Sequence, residues 1–141
     1  MKNCQFSFRP WPVILIVTSL ILLLFFFAYS KQGMIATVKL REAALTSFAE
    51  SLLCSNEESI REHFGYNVVA YPQTSSVFFE HHKGDYDGVF YTSSGVPVGF
   101  QGTVASFTRD GDTWIWKEAN GDNWMYVEHI VGNWFWYEMH F

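Results

Sequence analysis

A chain of 141 residues with a formal charge of −5 and no basic stripe has room for one domain beside a hydrophobic segment, and its charge argues against nucleic acid as a partner. Every Asp and Glu lies after Tyr29, so beyond residue 30 seven Lys and Arg stand against fourteen acidic residues. Aromatic residues make up 19%, much of that after residue 76, and the two cysteines, Cys4 and Cys54, flank the hydrophobic run. If that run spans a bilayer they cannot pair, and the fold stands on packing alone.

Residues 1–11 read as a short tail carrying Lys2 and Arg9. Residues 12–29 read as a transmembrane anchor, because no residue from Trp11 to Tyr29 is charged. At a rise of about 1.5 Å per residue, some 18 to 20 apolar residues cross a hydrocarbon core of about 30 Å, and this run just meets that length. Trp11 and Tyr29 stand at its ends, where amphipathic rings prefer the interface, and Pro10 and Pro12 suit a helix start. The layout is that of a signal anchor, with the N-terminus cytoplasmic and everything after Lys31 on the periplasmic face of the inner membrane. The alternative is a signal peptide cleaved at Ala28-Tyr29-Ser30.

Residues 33–64 form the next expected unit, a helical stalk that docks on the C-terminal strands. Val38, Leu45, Phe48 and Leu52 recur at helical spacing with Ala44 and Ala49 beside them, so the pattern predicts a helix over 34–54. The seam is too short for a coiled coil. Ser55 followed by Glu58 has the form of a capping box and predicts a second, short helix ending at Gly65.

From residue 65 to 141 the pattern becomes that of an antiparallel β domain. Runs at 66–71, 77–82 and 89–91 are β-branched and aromatic, bounded by Pro72, Gly84 and Asp87-Gly88. Residues 102–108 alternate loosely. The last thirty residues repeat with a period of ten: Trp114-Ile115-Trp116, Trp124-Met125-Tyr126 and Trp134-Phe135-Trp136, each preceded by a Gly-containing turn pair. Strand plus turn fits that period, so a three-strand meander is expected. Alternation then predicts one face bearing Trp114, Trp116, Trp124, Tyr126, Trp134 and Trp136, either packed as core or exposed as an interaction face. The final strand is apolar on both faces and should be covered on both, by a helix on one side and a curled sheet on the other. The fold class expected is therefore α+β: one transmembrane helix, an amphipathic helix plus a short one, and an antiparallel meander forming a sheet or small open barrel.

No catalytic, cofactor or metal site emerges. His81 and His82 would point to opposite faces of a strand, so with His63, His129 and His140 they make no ligand set. Asp85-Tyr86-Asp87-Gly88 and Asp110-Gly111-Asp112 lack the closing Glu of a calcium loop and read as turns. Cys54 reads as a small buried apolar residue rather than a nucleophile. Glu118, Glu128 and Glu138 follow from the repeat rather than from a paired-carboxylate site.

Three resemblances can be stated. The Trp-x-Trp/Tyr units resemble the aromatic repeats of choline-binding modules, over a fifth of the chain and with a shorter repeat. The order of tail, hydrophobic helix, amphipathic helix and strands is similar to type IV pilins and pseudopilins, which would imply an assembly subunit. Here the glycine before the hydrophobic segment is missing, since residues 6–10 read Phe-Ser-Phe-Arg-Pro, as is the family's early acidic residue. The same plan resembles small bitopic proteins that accompany membrane-bound ToxR-type activators. The expected function is a non-enzymatic, membrane-anchored accessory or sensory partner of another membrane or envelope protein, with a small apolar ligand as a further partner. The alternatives are a pilin-like subunit or an immunity or envelope-stress protein.

Overall fold

The computed structural model describes residues 11–28, 30–55, 59–63, 66–81 and 86–141. The N-terminal tail with Cys4, Tyr29, the capping box beyond Ser55, the stop at Gly65, and His82 and Asp85 lie outside the described residues.

The uncharged run forms helix α1, Trp11–Ala28, of 18 residues. Large side chains around its whole circumference are exposed, among them Ile16 at 68% and Leu23 at 66%. Among the described residues no helix is long and apolar enough to cross a membrane. Eighteen residues at about 1.5 Å each reach about 27 Å, just under a hydrocarbon core of about 30 Å. The transmembrane expectation therefore has no support from the helix as described.

Ser30 separates α1 from α2, Lys31–Leu53. Its hydroxyl donates to Phe27 O at 2.7 Å and accepts from the Gly33 N–H at 3.2 Å. The break between helices thus falls at a Ser N-cap, and Gly33 lies inside the first turn of α2. Helix α2 packs on the sheet, burying Met34, Val38, Ala49 and Leu52. It is kinked at Arg41, whose φ of −122° and ψ of 20° are not helical.

The expected second short helix does not form. Ser59–His63 is instead strand β1, paired antiparallel with β2, Tyr66–Tyr71, from Ser59↔Ala70 to His63↔Tyr66. A weak local capping signal loses to a five-residue ladder and to a stack of His63 on Phe48 of α2, with ring centroids 4.4 Å apart. The sheet continues through β3 (Ser76–His81), β4 (Asp87–Thr92), β5 (Thr108–Asp110), β6 (Thr113–Lys117), β7 (Trp124–Val131) and β8 (Trp134–His140). It is one open, antiparallel, eight-stranded sheet in the order β1-β2-β3-β4-β8-β7-β6-β5. The fold is α+β, with two α-helices among the described residues, and the β6-β7-β8 meander is as the ten-residue period predicts.

Strand β8 is covered on both faces. Trp134 and Trp136 join the core beneath α2, with Val68, Ala70, Val77, Phe79, Val89 and Tyr91. Phe135, Tyr137 and Met139 join the opposite core with Phe78, Phe90, Met125 and Val127. The cover there has two sources. Val98, Phe100 and Phe107, from the 93–107 excursion, pack on it together with Trp114 and Trp116. Residues 102–108 accordingly form no continuous strand: a 3-10 turn at Phe100–Gly102 and a Gly99↔Thr103 bridge precede the short β5. Gly102 has φ of +66°, and a Cβ there would lie 2.5 Å from the Tyr71 side chain, so this fold-back needs glycine.

Candidate functional site

The ten-residue period places equivalent residues of successive strands, but register decides which of them share a face. In β6 and β7 the partners are Lys117↔Trp124, Trp116↔Met125 and Trp114↔Val127. Even-numbered residues of one strand therefore oppose odd-numbered residues of the other. Trp114 and Trp116 fall on the face away from α2, which corrects the single aromatic ladder expected from the sequence. In β7 and β8 a bulge between His129 and Val131 shifts the register, so that Tyr126↔Glu138 and Glu128↔Trp136 pair even with even. Trp124, Tyr126, Trp134 and Trp136 thus share the α2 face. Trp134 and Trp136 are buried, and the other four of the six are half-buried.

On that face the kink in α2 leaves a cavity of about 380 Å³ between helix and sheet. Met34, Val38 and Leu45 line it from α2, and Phe79, Val89 and Trp134 from the sheet. Thr37, Leu40, Arg41, His63 and Tyr66 complete its wall. Leu40, 85% exposed, adds an apolar side chain to the rim. Ligand pockets of this kind typically occupy about 300–1,000 Å³, apolar with a few polar groups. The sequence holds no sign of the cavity, because neither Pro nor Gly marks the kink at Arg41.

The two halves of α2 are held differently. Past the kink, Thr46 accepts the Trp134 indole N–H at 3.0 Å and Glu50 accepts the Tyr91 hydroxyl at 3.1 Å. Leu45, Phe48, Ala49 and Leu52 pack beneath the same half. Before the kink, Met34 and Val38 are buried, and at the extreme end the Lys31 ammonium reaches the sheet. It donates to Glu128 Oε2 at 2.6 Å and lies 5.3 Å from the Tyr126 ring centroid and 5.5 Å from that of Trp136. The Tyr126 hydroxyl donates to the same carboxylate oxygen at 3.4 Å. Burial, and then the Glu128 charge, push the Tyr126 hydroxyl above its usual pKa. The Trp136 indole N–H is buried with no hydrogen-bond partner.

The remaining sequence candidates are dispersed. Glu128 belongs to the Lys31 cluster, Glu138 contacts His140 at 2.9 Å, and Glu118 is exposed in the 118–123 loop. His140 stacks on Trp124 at 3.8 Å, and a His129 ring nitrogen meets Gly132 O at 2.8 Å. Cys54 is exposed at the end of α2, against the expectation that it is buried. Asp110 and Asp112 flank Gly111 in the β5–β6 turn. Among the described residues no three His, Cys, Asp or Glu side chains come together as a metal site. On the far face Glu80 Oε1 and Tyr137 Oη are buried without partners, on either side of Gly88 in one cross-strand row. Desolvation raises the pKa of both groups, and for Tyr137 the Glu80 charge adds to it.

Comparison with protein-family models, with curated proteins and with solved structures returned no match.

Proposed function

We propose that this protein is a membrane-held, extracytoplasmic binding domain, which takes a small apolar ligand in the cavity under α2 and serves as accessory or sensory partner of another membrane protein. The cavity is the observation that carries the ligand part: its volume and apolar walls suit a small hydrophobic molecule, and its polar rim suits one polar end. The membrane part rests on α1. A helix apolar all round needs apolar surroundings on every side, and α1 leaves those side chains exposed. An anchor would also confine the domain beside its partner and raise its effective concentration. Binding rather than catalysis is the reading in keeping with a site walled mainly by hydrocarbon and indole.

Two measurements test this. Alkaline phosphatase fused after Phe141 should be active, and the full chain should stay with membranes after alkaline carbonate washing. Activity of a cytoplasm-only reporter at the same point would reverse the orientation. For the ligand, the full chain in detergent should give a saturable fluorescence rise with N-phenyl-1-naphthylamine above the micelle background. Leu45→Trp, which fills the cavity, should abolish it while leaving the melting temperature close to that of the parent. A parent chain with no saturable component would refute the ligand reading.

A further inference from the structure

We propose that residues 31–40 form a lid over the cavity, hinged at Arg41 and latched by Lys31 to the Glu128–Tyr126–Trp136 cluster, so that whatever moves α1 gates the cavity. This regulation rests on the ligand reading for its purpose, but its mechanics stand on separate observations.

The first is the hinge. Arg41 is the one α2 residue with non-helical backbone angles, and it lies at the cavity wall. A local break of this kind absorbs rotation of one rigid helical segment against the next. The second is the asymmetry of anchoring. Residues 42–53 carry two side-chain hydrogen bonds to the sheet, from Trp134 and Tyr91, and more of the packed apolar surface. Residues 31–40 carry two buried apolar anchors, Met34 and Val38, and both also line the cavity. Lifting that half exposes the site and leaves the other half in place.

The third observation is where the latch sits. Lys31 is the first residue of α2, at the end of the lid farthest from the hinge, directly after the Ser30 cap that joins α1. Its ammonium has one carboxylate and two aromatic faces as partners, all on β7 and β8. A cation over aromatic rings is favoured electrostatically, and more so where water is partly excluded. A tilt of α1 relative to the sheet therefore acts first on this contact.

Hydrogen exchange of the full chain in detergent, without added ligand, reads the latch. In Lys31→Met and in Glu128→Gln, amides of residues 34–40 should exchange severalfold to about tenfold faster than in the parent, with residues 45–53 unchanged. Lys31→Arg, which keeps the charge and the ring contacts, should exchange like the parent. Association of N-phenyl-1-naphthylamine should speed up by a similar factor in the two latch variants. Equal acceleration of both halves would overturn the hinge, and unchanged exchange over 34–40 would overturn the latch. Faster exchange with an unchanged association rate would overturn gating. The two readings fail separately: a parent that binds no probe sinks the ligand while the exchange data still judge the latch.

Discussion

Trp134 has no exposed surface, donates its indole N–H to Thr46, and lies between Phe79 and Tyr91 with ring centroids 5.4 and 5.5 Å away. Trp124, its counterpart ten residues earlier, is half-buried and stacks on His140 near the end of the sheet. Trp134→Ala should cost about 3–5 kcal/mol, a large part of the 5–15 kcal/mol that typically holds a domain together. Trp124→Ala should cost about 1–2 kcal/mol, since less of its ring leaves water on folding. Denaturant melts of the two variants check this, and similar midpoints would count against it. Glu80 allows a pH test. Its carboxyl binds a proton more tightly folded than unfolded, because desolvation raises its pKa above the ordinary 4.5. The associated stability is fully present below pH 4.5 and is lost as pH rises through the higher folded value. Glu80→Gln removes that loss. It should raise the melting temperature at pH 7, and the gain should vanish near pH 4. An equal gain at both pH values would mean that charge is not the cause.

At the scale of elements, the legible parts were those with strong periodicity. Helix α2, strands β2 and β4, the terminal meander and the two-sided cover of β8 all follow from apolar spacing and turn residues. Face assignment did not follow, because it depends on register. The 118–123 loop sets an even-to-odd pairing of β6 with β7, the bulge after His129 shifts the pairing of β7 with β8 by a residue, and a difference of one residue turns a whole strand's side chains over. Strand β1 is hidden in the sequence because Ser55 and Glu58 imitate a helix start. The cavity has no signature there because no residue type marks the kink. Close approach of elements offers a further test. At Gly88, between β3 and β8, a Cβ would meet Phe79 O at 2.3 Å and the Tyr137 ring at 3.1 Å. Gly88→Ala should therefore destabilise the domain by about 1–3 kcal/mol by overpacking, read as a lowered urea midpoint with an unchanged slope.

Across the whole molecule, the sheet is built as two blocks. Strands β1 to β4 form one block and β5 to β7 the other, and β8 alone joins them. A chain ending at Val131 retains seven of the eight strands but should show no cooperative melt, because both cores lose their central residues. A sharp transition in that truncation would show one block to be stable by itself. The joining strand is also the last of the eight to be made. During synthesis, the first block waits with the β4 edge unpaired until Trp134–His140 arrives. That edge is a template for strand addition, and its neighbours Phe78, Phe90 and Tyr91 are apolar. The interval before β8 is made is thus the period of greatest exposure to aggregation, and the one in which a chaperone would have most to protect.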